Sequence, residues 1–328
     1  MAVQLQVAHS KTFVGVGVFA GQAYHCAVHR FPLDPLSRIP DKSVPYCDGC
    51  PKGETLMYDH CKHMPNITSA APLVVHARAV AANGLIDDLE TLWTRRAFLY
   101  RGKSDTTYRQ GSVNVTAAFF RELMPVNAVR FETRIDSPHL VPGIDPYLCW
   151  WEEWGGPDNC TYDGARYALE HIYGDDAFVH GRDNDTESLF PMLKDFDQRP
   201  HLPSGRPSYL ADTGRIFVPP GCTDVRSGCK LHVFLHGCDV TDTFDVFSKY
   251  AGFNEWAVRN KIVVLYPKMG TNGPTKQLSG GCFDGYGQTG DDYDLASGPQ
   301  VKAIKSMVDS LTGVAAPRSK VGSVHGRV

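Results

Sequence analysis

The chain has 328 residues, of which 42% are hydrophobic and 21% are charged, and its 33 basic and 36 acidic side chains leave a formal net charge of −3. This charge gives no electrostatic reason to bind nucleic acid or an anionic membrane surface. The longest apolar stretches, at 13–20 and 262–266, are far shorter than the roughly 20 residues that cross a bilayer. We therefore expect a globular protein with a sizeable core and with neither a nucleic-acid nor a membrane partner.

Short runs of β-branched and aromatic residues alternate with helical patterns along the chain. The runs LHVFL and KIVVLY are almost continuously apolar, which is typical of parallel strands buried on both faces. This alternation predicts an open, mostly parallel α/β sheet with helices on both faces. The predicted strands are 12–19, 97–100, 128–133, 215–218, 230–235 and 261–266, and the predicted helices are 73–95 with a break at 83–84, 112–123, 162–173, 244–259 and 299–311.

Two long segments interrupt this alternation. Residues 30–72 are rich in Pro, Cys and His, and residues 175–206 are polar with scattered Pro. Insertions of this length in a compact domain often form lids or substrate surfaces. We predict a single domain over residues 1–313 that carries these two loop or lid insertions, followed by a flexible tail over residues 314–328.

Ten cysteines and four Asn-x-Thr sequons indicate an oxidised, secreted glycoprotein. The competing interpretation is a reduced cytosolic protein in which the sequons arise by chance. The first residues contain no basic start, apolar core and cleavage site, so we expect a secretion signal to be absent from this chain. The sequons stand at Asn66, Asn114, Asn159 and Asn184.

Three predicted strand ends carry groups that suit ester hydrolysis, because ligands of an open α/β sheet gather at the carboxyl ends of its strands. Asp105 follows the second predicted strand, His139 follows the third, and the turn His236-Gly237-Cys238 follows the fifth. A histidine can take a proton from a hydroxyl nucleophile, an aspartate can fix its tautomer, and free turn amides can bind the oxyanion. Each residue on its own also fits an ordinary turn or a solvated loop.

No Gly-x-Ser-x-Gly nucleophile elbow occurs in the chain. The frame at 17–21 places Phe19 at the nucleophile position, and a phenyl ring cannot attack a carbonyl carbon. Ser10 is expected in a helix or at its end, and Ser137 is too close to His139 in sequence for the usual approach. The chain as written is therefore predicted to lack the nucleophile of a serine hydrolase.

Five stretches of the sequence carry a family resemblance: MAVQLQVAHSKTFVGVGVFAG, NCTYDGARYALEHIYG with the later FDQ, CKLHVFLHGC, AGFNEWAVRNKIVVLYP and GCFDGYGQTGDDYDLASGPQVKAIKSMVDSL. Together they resemble the extracellular polyhydroxybutyrate depolymerases and their esterase relatives over nearly the whole chain. The resemblance implies a circularly permuted α/β-hydrolase fold. It also implies a secreted serine-type carboxylic-ester hydrolase that acts on polymeric or oligomeric hydroxyalkanoate esters.

The same resemblance assigns roles to the three strand ends. Asp105 becomes the triad carboxylate, His139 the general base, and the backbone N–H of Cys238 one oxyanion donor. In the family, the helix that matches MAVQLQVA directly follows the nucleophile elbow. The serine, its strand and the second oxyanion donor are therefore expected upstream of Met1, and their loss would leave a gap beside the strand 12–19. An ester substrate is the expected partner, and neither a metal nor an organic cofactor is implied.

Two alternatives to this function stay open. One is a non-catalytic extracellular relative, a pseudoenzyme that keeps the fold for binding or structure, and the absent elbow favours it. Retention of Asp105, His139 and the turn at 236–238 argues against it, because a binding protein has no chemical need for all three. The other is an esterase that acts on acyl-carbohydrates with the same machinery and different loops.

The family has a Trp-rich run where this chain reads GCFDGYG at 281–287. Phe283 and Tyr286 retain aromatic surface that suits an apolar polyester, whereas Gly285 removes a ring. Both side chains are predicted to bind substrate, and packing within the loop is the alternative.

In a secreted chain the cysteines are expected to form disulfides. The alternative is a zinc site from Cys47, Cys50, His60, Cys61 and His63, whose spacing departs from that of zinc fingers. The expected bridges are Cys222–Cys229, Cys238–Cys282 and Cys149–Cys160, with Cys26, Cys47, Cys50 and Cys61 pairing among themselves.

Overall fold

The computed structural model describes residues 1–29, 61–62, 66, 68–145, 161–223, 228–239 and 242–313. The seven strands of these residues form two sheets. Sheet A is entirely parallel, in the order β1-β2-β3, with β1 at Gly15–Phe19, β2 at Arg96–Tyr100 and β3 at Val129–Glu132. Sheet B has the order β4-β5-β7-β6, with β4 at Leu193–Asp197, β5 at Thr213–Phe217, β6 at Lys230–Val233 and β7 at Ile262–Tyr266.

The described helices pack around these sheets. The helix at Gly164–Tyr173 has a side-chain cap, because the Asp163 carboxylate accepts the Arg166 N–H at 2.9 Å, and Gly174 terminates it. The helices are α1 (Ala2–Ala8), α2 (Ala70–Ala82), α3 (Gln110–Arg121), α4 (Gly164–Tyr173), α5 (Phe244–Tyr250), α6 (Phe253–Asn260), α7 (Lys276–Ser279) and α8 (Pro299–Thr312).

Alternate side chains of β2 enter different parts of the core. Phe98 and Tyr100 pack with Ala168 of α4, whereas Leu99 packs in the main cluster with Phe119 of α3. Because successive strand residues point to opposite faces, helices cover both faces of sheet A. The predicted α/β architecture with helices on both faces is confirmed here.

Two glycines of β1 allow α4 to lie close to sheet A. A Cβ atom on Gly15 would come within 2.8 Å of the Arg96 carbonyl oxygen and 3.0 Å of the Ile172 side chain. At Gly17 it would lie 3.4 Å from Ala168. A larger residue at position 15 would therefore push α4 away from the sheet.

Most strand pairs are parallel, as predicted, but the strands are divided between two sheets and one of these sheets is mixed. The pairs β1–β2, β2–β3 and β6–β7 are parallel, but β4–β5 and β5–β7 are antiparallel. The segment 175–206, predicted as a loop or lid, contains β4 and three short 3-10 helices. The strand β4 reads LKDFD and lies at the edge of its sheet. Its partly exposed charged residues do not form the apolar run that would predict a strand.

Two predicted helices are interrupted. The helix predicted at 244–259 divides into α5 and α6 at Gly252, which has a left-handed φ of +85°. The helix predicted at 73–95 ends at Ala82 as α2, and a separate 3-10 helix follows at Leu89–Thr94. The Asn83-Gly84 pair lies at the first of these ends, as the predicted break required.

A gap separates the two sheets. Among the described residues β1 pairs only with β2, and β6 pairs only with β7. A cavity of about 770 Å³ is lined by residues of both strands, and α1 forms part of its wall. This arrangement agrees with the gap predicted beside the strand 12–19.

Three disulfides join parts of the described chain. The predicted bridges Cys222–Cys229 and Cys238–Cys282 are present, with Cα separations of 5.8 and 4.3 Å. The third bridge is Cys26–Cys61, so Cys61 is not a ligand of the alternative zinc site. The other predicted residues Cys47, Cys50, His60, His63, Cys149, Cys160 and Asn159 lie outside the described residues, as does the predicted tail.

The side chains of Asn66, Asn114 and Asn184 are exposed, as glycan acceptors must be. In the part of the chain that the structure describes, no helix is long and apolar enough to cross a membrane.

Candidate active site

The structure brings Asp105 and His139 together. The Asp105 carboxylate is fully buried, and its Oδ2 accepts a hydrogen bond from His139 Nδ1 at 2.9 Å. Its Oδ1 accepts the backbone N–H groups of Thr107 at 2.8 Å and Tyr108 at 2.9 Å. Because His139 Nδ1 carries a proton and donates it in a hydrogen bond to Asp105, Nε2 is the ring nitrogen that can accept a proton from a nucleophile.

Backbone contacts between the ends of β2 and β3 hold this pair in place. The Lys103 N–H donates to the Ile135 carbonyl at 2.7 Å, and the Ser104 N–H donates to the Ser137 carbonyl at 3.2 Å. Gly102 makes the approach feasible, because a Cβ atom there would lie 2.0 Å from the Ser137 carbonyl oxygen. The turn that carries Asp105 is thereby fixed against the loop that carries His139.

The environment of Asp105 keeps it ionised. Burial alone raises the pKa of this carboxyl, but the hydrogen bond and charge of His139 and the N–H donors of Tyr108 and Thr107 outweigh burial and hold the pKa below its ordinary value. An ionised partner stabilises the imidazolium that forms when His139 accepts a proton. The His139 ring stacks on Tyr108 with 5.6 Å between centroids, and 42% of its side chain is exposed at the cavity.

The turn after β6 presents a backbone amide to the same cavity. His236 Nδ1 donates to the Gly237 carbonyl at 2.7 Å, and its Nε2 accepts the Met269 N–H at 3.1 Å. Burial lowers the pKa of His236 to about 4, so this ring is neutral and structural. A trans peptide has its carbonyl and N–H on opposite sides, so the Cys238 N–H points away from His236, and no described residue accepts it. Cys238 lines the cavity, as an oxyanion donor would.

The aromatic loop at 281–287 is joined to this turn. The Cys238–Cys282 disulfide links the two segments, and the buried Asp284 carboxylate accepts four consecutive N–H groups from Tyr286 to Thr289. Phe283 and Tyr286 line the cavity but are only 8% and 6% exposed. The Phe283 ring lies 4.9 Å from the ring of His236. These side chains form part of the cavity wall, and their contact with substrate stays a prediction.

One cavity residue had no signal in the sequence. Lys62 lies in the insertion predicted at 30–72, and the neighbouring Cys61 fixes its position through the bridge to Cys26. Its side chain is buried against the cavity, with Nζ 5.2 Å from the centre of the Tyr108 ring. Burial lowers the pKa of Lys62 to about 8, against the opposite effects of Asp105 and Asp239. A basic side chain therefore lies against the Tyr108 ring on which His139 stacks.

No serine lines this cavity in the part of the chain that the structure describes. Ser10 donates its hydroxyl to the Asp88 carbonyl at 3.2 Å, and the Ser137 hydroxyl is bonded to that of Tyr100. Among the described residues, the candidate base and its carboxylate thus lie with the candidate oxyanion amide, and no serine lines the cavity beside them.

Known proteins are similar to this chain in sequence and in fold. The chain is 29% identical, over 95% of its length, to the poly(3-hydroxybutyrate) depolymerase of Delftia acidovorans, and to the polyhydroxybutyrate depolymerase of Talaromyces funiculosus. The crystal structure of PHB depolymerase from Penicillium funiculosum matches with a TM-score of 0.72 and 27% identity, covering 94% of this chain and 91% of that one. The chain is thus similar in sequence and in fold to polyhydroxybutyrate depolymerases.

A second solved structure is a PHB depolymerase variant complexed with an R3HB trimer, which matches with a TM-score of 0.73 and 27% identity. The match covers 95% of this chain and 92% of that one. The chain spans 57% of the Delftia depolymerase and 86% of the Talaromyces depolymerase. No family model matches the chain. The predicted resemblance and the predicted α/β-hydrolase fold are both confirmed by these relatives.

Proposed function

We propose that this chain provides the general base and an oxyanion donor of a secreted serine-type hydrolase for hydroxyalkanoate oligomers or polymers. The observation that carries the proposal is the 2.9 Å bond between His139 and the buried Asp105, in a cavity shared with the Cys238 amide. The names of the relatives and the R3HB trimer complex support an ester of this class. The three disulfides support secretion.

In the proposed reaction a serine hydroxyl attacks the ester carbonyl carbon, and His139 Nε2 takes the hydroxyl proton. The carbonyl oxygen becomes an oxyanion that accepts the Cys238 N–H, while Asp105 stabilises the imidazolium. The tetrahedral intermediate then collapses, and His139 returns the proton to the leaving alkoxide. Water, deprotonated by His139, attacks the acyl-enzyme in the same way and releases a hydroxyalkanoic acid.

The serine is proposed to come from a segment upstream of Met1. The gap between β1 and β6 supports this source, because each strand has a free edge there among the described residues. A strand that filled the gap would end beside the carboxyl ends of β1 and β6, where His139 and Cys238 line the cavity. A nucleophile at the end of that strand would then face both groups.

The second candidate function is a non-catalytic relative that binds a ligand in the same cavity. The observation that favours it is the lack of a serine among the described cavity residues. It leaves the buried, ionised Asp105 and its bond to His139 without a chemical purpose. We therefore place it second.

A fluorophosphonate probe distinguishes these functions, because labelling requires an activated serine. We expect the protein purified from its natural source to be labelled, at a peptide that precedes Met1 by mass spectrometry. His139→Ala should abolish labelling, and Asp105→Asn should slow it on the order of 10³- to 10⁴-fold because the wrong tautomer then prevails. His201→Ala is the matched control, since His201 bonds to Ser306 outside the cavity.

Failure of the natural protein to label would overturn the esterase proposal and leave the binding function. Substrate class is tested separately with R-3-hydroxybutyrate oligomers and with acetylated sugars. Release of hydroxybutyrate supports the proposed substrate, whereas release of acetate alone identifies an acyl-carbohydrate esterase.

A further inference from the structure

A second group of polar side chains lies outside the candidate active site, where three distant parts of the chain meet. His25 follows β1, His76 lies on α2, and Asp294 lies in the loop before α8. Each offers one atom that can bind a metal ion, and the three atoms lie within 4.8 Å of one another. None of these residues lines the active-site cavity.

The two imidazoles lie face to face. The rings of His25 and His76 stack with 3.4 Å between centroids and an interplanar angle of 12°. The Nε2 atom of His76 is buried and has no hydrogen-bond partner. A buried polar atom without a partner destabilises the fold, and a cation bound to Nε2 in the plane of the His76 ring would supply that partner.

The carboxylate of Asp294 supplies negative charge to the group. Its side chain is 1% exposed, and its Oδ2 lies 2.8 Å from His25 Nδ1. In a metal site, a carboxylate beside a histidine either binds the metal directly or orients the imidazole that does so.

The backbone around the group is held in place. His25 adopts a left-handed conformation with φ of +61°, which is costly for a residue other than glycine. The next residue, Cys26, is fixed by its bridge to Cys61, and the Tyr24 hydroxyl donates to the Asp294 backbone carbonyl at 3.0 Å. These contacts place His25 against Asp294 before any ligand binds.

We propose that His25, His76 and Asp294 bind one divalent transition-metal ion of the zinc type. Two imidazoles and a carboxylate are ligands that Zn²⁺ takes at about 2.0–2.2 Å, which places them about 3.4 Å apart in a tetrahedral site. Side-chain rotations that shorten the largest spacing between ligand atoms by up to about 1.4 Å would bring the group to that size. Three protein ligands leave one position for water, and the site connects β1, α2 and the loop before α8 away from the cavity.

Zinc binding is measured on the full chain by equilibrium dialysis against ZnCl₂, followed by metal analysis. The variants are His76→Gln and Asp294→Asn, and the matched control is His201→Gln. We expect about one Zn²⁺ per chain for the wild type and the control, and at least a tenfold loss of affinity in both variants. The proposal is wrong if the wild type binds no Zn²⁺, or if the variants bind it as well as the wild type does.

Thermal unfolding shows whether the variants remain folded. Zn²⁺ should raise the melting temperature of the wild type and of His201→Gln, because it binds only the folded state. It should leave the melting temperatures of His76→Gln and Asp294→Asn unchanged, with circular dichroism spectra equal to that of the wild type. Substitution by Co²⁺ gives an independent readout: a four-coordinate spectrum without thiolate charge transfer supports this site, and a thiolate band overturns it.

Discussion

Three histidines of this protein differ in what their ring nitrogens contact, and the contacts separate their roles. The Nδ1 atom of His139 donates to a buried carboxylate, which leaves Nε2 for proton transfer. Both nitrogens of His236 are used by backbone groups, so this ring orients a turn. The Nε2 atom of His76 is buried without a hydrogen-bond partner, and the proposed metal ion would bind it. In each case the interpretation follows from what the ring nitrogens contact.

At the residue scale Glu255 gives a prediction about pH. This carboxylate is buried beside Arg182 at 3.1 Å and the Thr186 hydroxyl at 2.9 Å, and burial raises its pKa to about 7. Between about pH 4.5 and 7 the folded carboxyl holds a proton that the unfolded chain has lost. The stabilisation that comes from the protonated Glu255 carboxyl is therefore fully present below pH 4.5. It declines by up to about 1.4 kcal/mol per pH unit as the pH rises toward 7.

Urea unfolding of the wild type and Glu255→Gln between pH 4.5 and 8 measures this dependence. The glutamine variant should lose the decline, whereas Glu90→Gln at an exposed site should keep it. Parallel pH profiles for all three proteins would contradict the prediction.

At the scale of elements, the paired ends of β2 and β3 determine whether the base forms. Replacing Gly102 by Ala places a methyl group 2.0 Å from the Ser137 carbonyl oxygen, so the loop that carries His139 must move. We expect the free energy of unfolding to fall by about 1–3 kcal/mol. Fluorophosphonate labelling of the natural protein should fall as well, because Asp105 no longer meets His139.

The matched control is Gly143→Ala, where a Cβ atom would meet nothing within 4 Å. Thermal unfolding and labelling rate are measured on both variants. Loss of stability in Gly102→Ala with an unchanged labelling rate would show that the β2–β3 contact does not position the base.

Much of this arrangement could be predicted from the sequence, because local patterns carry it. The apolar run of β7 and the capped, glycine-terminated α4 have strong local signals. The expected roles of Asp105, His139 and Cys238 came from a family resemblance, and the structure places His139 and Cys238 at one cavity, with the buried Asp105 bonded to His139. The strand β4 could not be predicted, since an exposed edge strand needs little apolar sequence. Lys62 could not be predicted either, because its position depends on the Cys26–Cys61 disulfide, whose cysteines are 35 residues apart in the sequence.

At the scale of the whole molecule, the open edges of β1 and β6 give a prediction about hydrogen exchange. If a segment upstream of Met1 fills the gap, amides of both strands should exchange at least about tenfold more slowly in the natural protein than in the 328-residue chain. The strands β2 and β7 have neighbours on both sides and serve as internal controls. Their protection should be similar in the two proteins. Equal protection of β1 and β6 in both proteins would show that no added strand pairs with them.

The candidate catalytic groups are divided between the two sheets. Asp105 and His139 follow strands of sheet A, whereas the Cys238 amide follows β6 of sheet B. The gap between the two sheets therefore sets the distance between His139 and the Cys238 N–H. Any segment that fills this gap acts as a spacer between these two groups. Turnover should therefore respond to the size of side chains in that spacer, even where they touch neither the substrate nor any catalytic group.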